Sequence, residues 1–467
     1  MKNFFWFIAS MVYSLTIHAQ SIEDKLQKAV QQFEKDSQMR HAILGFAVAD
    51  AATGKLIYER NAQIGLAPAS TQKIITSIAA FELLGHDYRY TTELLYNGPI
   101  ENGVLNGHLH VKSSGDPSFG SWRYAGTRDT MILGKWADAV LKKGIQRIKG
   151  GLLVIETLAH QAIPDGWIWQ DIGNYYGAGA YELNWKENQY DVILQSGNTV
   201  GDGVTITKAG SKVLKNKYNN ALKTAGKGTG DNAYIYFQLA PGRNPSIAGT
   251  IPVGEKSFSI SGATPDPVAE LQDDVVSAFS AASIRFDAIN DEVWSQALRT
   301  RPSAIALYKH VSPPLESLNY WFMRRSINLY GEAFVQTIAY EKAKVRSTDT
   351  GIRVIRDFWA GKGIDKAALN IIDGSGLSPQ NRLTADALVR ALQYAKARPW
   401  RASFYESLPT FNGMKLKSGS IGGARAFAGY HTSAQGKEYI IAIIVNNYAG
   451  SSGDIIRKMY RVLDELK

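Results

Sequence analysis

The stretch LAPASTQKIITSIAAFELLG, Leu66 to Gly85, sets a serine and a lysine three residues apart at the mouth of an apolar helix. Pro68 is excluded from a helix interior and Ser70 suits an N-terminal cap or first turn. Ile74, Ile75, Ile78, Phe81 and Leu84 then recur at helical spacing until Gly85 ends the run. Ser70 and Lys73, at i and i+3, share one face of the first turn. A serine hydroxyl becomes a nucleophile when a neighbour takes its proton, and a lysine can do so once desolvation or positive neighbours make it neutral. The positive end of the helix dipole acts in the same direction, against an ammonium and for a developing alkoxide. Roughly one or two S-x-x-K matches arise by chance in a chain of this length, so the pair carries weight only with partners.

Two later triplets supply them. RRSINLYGE holds Ser326 and Asn328 as a Ser-x-Asn pair, and GMKLKSGSIGGARAFAG holds Lys417, Ser418 and Gly419 ahead of an expected edge strand. Either triplet alone reads as a helix cap or a strand end. The ordered set S-x-x-K, S-x-N, K-[S/T]-G resembles the penicillin-recognising serine enzymes, the penicillin-binding proteins and serine β-lactamases. Spacing narrows the resemblance: 256 residues separate Ser70 from Ser326 and 91 separate Ser326 from Lys417. The long first gap is similar to that of the D-alanyl-D-alanine carboxypeptidase/endopeptidase family, the class C low-molecular-mass penicillin-binding proteins. PASTQK (68–73), SSGDPSF (113–119), YYGA with a following LNW (around 175–185), HVSPPL (310–315) and DGSGLSPQNRLT (373–384) also match it, so the resemblance covers essentially the whole mature chain. Two departures stand out: Lys-Ser-Gly replaces the commoner Lys-Thr-Gly, keeping the hydroxyl and dropping a methyl, and SSGDP replaces a more glycine-rich version.

The resemblance implies a role for each position. Ser70 attacks the carbonyl of a D-alanyl-D-alanine bond to form an acyl-enzyme, with Lys73 as general base. Ser326 relays a proton to the departing D-alanine, and Asn328 bonds the substrate amide and Lys73. Lys417 and the Ser418 hydroxyl bind the terminal carboxylate, Gly419 lets the substrate lie close to the strand, and the backbone N–H groups of Ser70 and Ser420 hold the oxyanion. Asp373 is read as a turn residue holding the rim of the site. The implied partners are peptidoglycan stem peptides and, as covalent inhibitors, β-lactams; no cofactor is implied. Basic residues of the middle region are candidates to hold an acidic stem peptide. The alternatives are a β-lactamase-like hydrolase on the same scaffold, for which no water-activating base stands at a placed motif, and a catalytically weak peptidoglycan-binding protein, which would have no use for a nucleophile.

The elements that must position these residues follow from periodicity. Ala42 to Asp50 and Leu56 to Tyr58 read as a hairpin ahead of the serine helix. From about Tyr88 the chain turns to short alternating runs broken by Gly, Asn, Asp and Pro, with helical patterns at Asp129 to Lys143 and Asp266 to Ala282. From about Asn290 helices return: Glu292 to Thr300, Pro314 to Lys342, Thr348 to Gly361 and Thr384 to Ala397. Strands at Phe427 to Ser433 and Tyr439 to Asn446 and a helix from Ser452 to Leu466 close the chain. The two ends thus build one α/β domain, residues 20–87 and 290–467, around a strand-rich insertion, 88–289, of two subdomains. The resemblance implies the α/β (α+β) transpeptidase fold of penicillin-binding proteins and β-lactamases, an antiparallel sheet flanked by helices.

Composition bounds the rest. The 467 residues, 45% hydrophobic and 20% charged, suit a globular protein of two or three domains. The net charge of +10 comes without a Lys/Arg run dense enough for a nucleic-acid patch. Met1 to Gln20 carry Lys2, an apolar run from Phe4 to Ile17, and Ala19, the pattern of a secretory signal cut after residue 19. No other segment is apolar enough to span a membrane, so the mature protein is expected in an exported compartment, the periplasm. The chain has no cysteine, which excludes disulfides, a thiol nucleophile and thiolate metal sites. His108 and His110 share a strand face without a further ligand at metal spacing, so no metal site is assigned. No G-x-S-x-G elbow is present. Trp167, Trp169, Tyr175 and Tyr176 are read as a packed aromatic cluster in the insertion.

Overall fold

The computed structural model describes residues 21–155, 162–211, 214, 217–239, 242–287 and 304–467. The expected secretory signal and the expected helix Glu292 to Thr300 lie outside these residues.

The main sheet is built from both ends of the chain. Its strands are β1 (Ile43–Asp50), β2 (Leu56–Arg60), β3 (Thr410–Phe411), β4 (Met414–Ile421), β5 (Ala424–Thr432) and β6 (Glu438–Asn446), in the order β3-β4-β5-β6-β1-β2. All neighbouring pairs are antiparallel, and β1 pairs β6 from Ile43↔Asn446 to Asp50↔Tyr439. The helices around it are α1 (Ile22–Glu34), α2 (Lys73–Leu84), α3 (Leu315–Arg324), α4 (Asn328–Ala343), α5 (Thr348–Ala360), α6 (Ala385–Lys396) and α7 (Ser452–Asp464).

Strand alternation explains why the sheet is covered on both sides. Ile441, Ile443 and Val445 pack with Leu26 and Val30 of α1 and Ile455 and Met459 of α7. Ile440, Ala442 and Ile444 face the other way, onto Ile75 and Ile78 of α2 and Leu388 and Leu392 of α6. Each fully buried isoleucine contributes about 1.5–3 kcal/mol of transfer free energy, so β6 holds the two helical layers together from both faces. α2 and α4 are buried along most of their length, so they form the centre of the helical layer rather than its outer face.

The middle of the chain holds two further apolar centres. One gathers Leu94, Val111, Trp136 and Phe279 among short strands and the helices Asp129–Lys142 and Pro267–Ala281. The other gathers Val192, Leu194, Ile235 and Ile247 between two three-stranded sheets. Ile305–Val311 pairs antiparallel with Thr91–Tyr96, so the strand-rich region takes a strand from beyond residue 289.

Two local expectations differ from the structure. Pro314 to Lys342 is not one helix: α3 and α4 are separated at Arg325–Ile327, where Ser326 takes a left-handed φ of 57°. Lys417–Gly419 lies inside β4 rather than ahead of a strand, and the two-residue β3 forms the edge beside it.

Candidate active site

Ser70 lies in a 3-10 turn, Ala69–Gln72, and α2 begins only at Lys73. The turn is entered through Ala69, whose φ of 47° costs about 1 kcal/mol for a residue with a Cβ. Neighbouring elements hold it there. A Cβ at Gly419 would collide with the Pro68 carbonyl oxygen, and one at Gly376 with the Ala69 carbonyl oxygen. The glycine of Lys-Ser-Gly admits the nucleophile's own turn, because β4 packs directly against residues 68–71.

Lys73 is fully buried. Its Nζ donates to Ser70 Oγ at 2.9 Å, to Asn328 Oδ1 at 2.6 Å and to the Ser375 carbonyl oxygen at 2.7 Å, and stands 5.7 Å from the Phe322 ring centroid. Burial draws its ammonium pKa down to about 7, against the opposing pull of Asp373 and Glu332. Three segments therefore converge on one amine: the serine turn, the first residue of α4, and the DGSGLS loop.

That loop is organised by Asp373. The carboxylate accepts from the Gly376 and Ser378 N–H groups, each at 2.7 Å, from Asn381 Nδ2 at 3.0 Å and from Trp167 Nε1 at 3.0 Å. It acts as the turn residue expected. Trp167 is buried on it, but Trp169 and Tyr175 are about half exposed, so the aromatic cluster is not a packed core; Tyr175, Tyr176 and Tyr234 line the cleft instead.

Ser326 is presented by the break between α3 and α4. Two residues on, Asn328 donates from Nδ2 to the Tyr176 carbonyl oxygen at 2.7 Å, so its amide is fixed from both sides. Glu332, one turn further along α4, is completely buried and accepts the Gly374 N–H at 2.9 Å. Burial and the nearby Asp373 push its carboxyl pKa up. The sequence reading missed Glu332; its position four residues after Asn328 on a helix was the available signal.

A cleft of about 1010 Å³ opens over this arrangement, and Ser70, Ser326, Asn328 and Ser420 line it. Lys417 does not: it is buried, and its Nζ donates to the Ser418 carbonyl oxygen at 2.8 Å. Burial, and then the charge of Lys73, hold its pKa well below the ordinary ammonium range. Ser418 and Gly419 also lie outside the cleft lining, while Ser420, paired across the sheet with Arg425, is exposed in it.

An antiparallel sheet between helices, with a serine turn and a buried lysine at the foot of a central helix, is the penicillin-binding-protein and β-lactamase-like transpeptidase fold. The model of the D-Ala-D-Ala carboxypeptidase 3 (S13) family matches residues 26–466, and the chain belongs to that family of serine peptidases. It is 26% identical over 460 residues to a D-alanyl-D-alanine carboxypeptidase of Actinomadura sp. (strain R39), covering 91% of this chain and 82% of the relative. It is 24% identical over 440 residues to the D-alanyl-D-alanine carboxypeptidase DacB of Haemophilus influenzae, covering 90% and 88%. The crystal structure of penicillin binding protein 4 from Haemophilus influenzae matches with a TM-score of 0.77 and 21% identity, over 94% of this chain and 98% of that one; the same protein in complex with a β-lactam matches at 0.72 and 20%, with the same coverage.

Proposed function

We propose that this chain is an exported serine-type D-Ala-D-Ala carboxypeptidase and DD-endopeptidase that acts on peptidoglycan stem peptides through a Ser70 acyl-enzyme and is acylated by penicillins. The observation that carries the reading is Lys73: fully buried, with its pKa drawn to about 7, 2.9 Å from Ser70 Oγ.

A neutral Lys73 keeps two N–H groups for Asn328 Oδ1 and the Ser375 carbonyl and turns its lone pair to Ser70. The hydroxyl then donates to the amine as its oxygen attacks the carbonyl of the penultimate D-alanine. The N–H groups of Ser70 and Ser420 stabilise the oxyanion. The proton taken by Lys73 passes through the Ser326 hydroxyl to the leaving amine as the bond between the two D-alanines breaks, which leaves an ester on Ser70 and returns Lys73 to its neutral form. Water, deprotonated by the same base, attacks the ester and releases the shortened peptide.

By resemblance to the family, Lys417 and the Ser418 hydroxyl take the terminal carboxylate; Lys417 is buried outside the cleft lining, so its Nζ must exchange the Ser418 carbonyl for the substrate anion. Burial holds the Lys417 pKa below the ordinary ammonium range, and an anion beside it favours the charged form. Family membership over residues 26–466 and the β-lactam complex of a protein with the same fold support the reading. The leader-like Met1 to Ala19 supports export to the periplasm. Among the described residues no helix is long and apolar enough to cross a membrane.

The test is the intact mass of the protein with and without a penicillin, alongside Ser70→Ala, together with release of D-alanine from a stem pentapeptide. A drug adduct and D-alanine release by the native protein, both lost in Ser70→Ala, are expected. Acylation at another residue, or no peptide cleavage, would overturn the assignment.

A further inference from the structure

The charged side chains that line the cleft are Arg123, Asp171, Glu187, Arg325 and Arg425. Four of them are committed within the protein. Arg123 forms a two-point ion pair with buried Glu187, at 2.7 and 3.0 Å, and lies between the rings of Trp122 and Trp321 at 5.4 and 5.2 Å. Glu187 also accepts from the hydroxyls of Ser121 and Tyr330. Asp171 takes a hydrogen bond from the Tyr176 side chain. Arg425 donates to Ser452 Oγ and to the carbonyls of Ile421 and Ala424, inside the turn that joins β4 to β5.

Arg325 differs from all of these. It is exposed in the cleft, and among the described residues its guanidinium has no hydrogen-bond acceptor and no ion-pair partner. Its neighbour Arg324, by contrast, donates to the Leu408 carbonyl and lies 5.7 Å from the Tyr320 ring. Arg325 caps α3 immediately before the left-handed turn at Ser326, so it is anchored to the same rigid break that presents Ser326 and Asn328. A planar fork of N–H donors that no protein acceptor satisfies, carried on the rim of the same cleft, matches a carboxylate in two-point geometry.

We propose that Arg325 is a specificity-determining residue that binds a carboxylate of the substrate peptide other than its chain terminus, so that the cleft selects acidic peptides. The inference rests on the reading of this cleft as the site for a D-Ala-D-Ala peptide. The terminal carboxylate is assigned to Lys417 and Ser418 on β4, whereas Arg325 stands on the separate α3–α4 turn and lines the cleft itself.

The test compares two synthetic peptides ending in D-Ala-D-Ala, identical except that one bears a side-chain carboxylate and the other the corresponding amide. Binding is measured by calorimetry on Ser70→Ala protein, which cannot turn the peptides over, with Arg325 native or changed to Gln or Lys. The acidic peptide is expected to bind about tenfold more tightly to the Arg325 protein, the size of one charge-assisted contact. Arg325→Gln removes the preference without weakening the amide, and Arg325→Lys restores part of it. Equal affinity for the two peptides, a preference that survives Arg325→Gln, or no binding of either would overturn the proposal. Cleavage of the same peptides by protein with Ser70 intact judges the peptidase reading separately: equal binding with cleavage of both sinks the specificity claim alone.

Discussion

Asn328 Oδ1 accepts a hydrogen bond from Lys73 Nζ at 2.6 Å, although 255 residues separate the two in the chain. The amide is fixed on its other side by the Tyr176 carbonyl, so three distant segments set the distance between base and helix α4. Because an amide is uncharged, the contact orients the amine without stabilising its protonated form as a carboxylate would.

Asn328→Asp tests that distinction. A carboxylate at this position favours the ammonium, raises the Lys73 pKa, and moves the acidic limb of the kcat/KM profile upward by about one pH unit or more. Activity at pH 7 is expected to fall about fivefold or more and to recover in part at alkaline pH; a profile lowered equally at every pH would contradict the electrostatic account.

The native profile follows from the direction of the Lys73 shift. Lowered from 10.5 to about 7, the amine is free to accept a proton above about pH 7, so acylation by a penicillin rises with pH through that point and levels off. Glu332 pulls the other way on Lys73, so Glu332→Gln is expected to move the limb to lower pH; stopped-flow acylation rates from pH 5 to 9 read both effects.

Stability carries the same signature. A depressed folded pKa means the buried ammonium costs stability below about pH 7, and the cost fades as pH rises towards 10.5, where the unfolded chain also loses the proton. Relative to native protein, Lys73→Met is therefore expected to gain stability as pH falls from 10 to 6, by on the order of 3 kcal/mol. Denaturant melts at the two pH values measure it, and a constant difference between the proteins would show that Lys73 keeps an ordinary pKa.

Gly419→Ala probes the packing of β4 on the serine turn. Its methyl meets the Pro68 carbonyl and comes within 3.1 Å of the Thr71 nitrogen, so either the strand or the turn must move. A loss of about 1–3 kcal/mol in stability and of about a hundredfold or more in acylation rate is expected, since displacing reacting groups by about 1 Å has that effect. Near-native acylation would mean that the turn tolerates displacement.

At Ser326, where φ is 57°, glycine fits the backbone better than serine. Ser326→Gly should match or exceed native stability by up to about 1 kcal/mol while losing about a hundredfold or more in peptide turnover, the range of general acid–base catalysis. Native turnover would remove Ser326 from the proton path.

Much of the scaffold was legible. The short uninterrupted apolar run in YIIAIIVN, rich in β-branched residues, and the apolar spacing after Lys73 specify β6 and α2, because a strand covered on both faces needs apolar side chains at every position and a helix needs them three to four apart. The break at Ser326 was not. Apolar residues continue across it, from Phe322 and Met323 to Ile327 and Leu329, and no glycine or proline marks it; packing of α3 and α4 imposes a turn that local propensity would not choose.

The sequence by itself determined which groups can react: Ser70 beside Lys73, the Ser326 and Asn328 pair, the Lys417 triplet, and the periodicities of the elements carrying them. Only the tertiary structure decided their chemical state. The pKa of Lys73 depends on burial by Phe322, Asn328 and the DGSGLS loop, the carboxyl of Glu332 on its enclosure beside Asp373, and the freedom of Arg325 on every other charge in the cleft already having a partner. Desolvation and charge pairing are sums over segments hundreds of residues apart, and no local pattern of residue types fixes such sums.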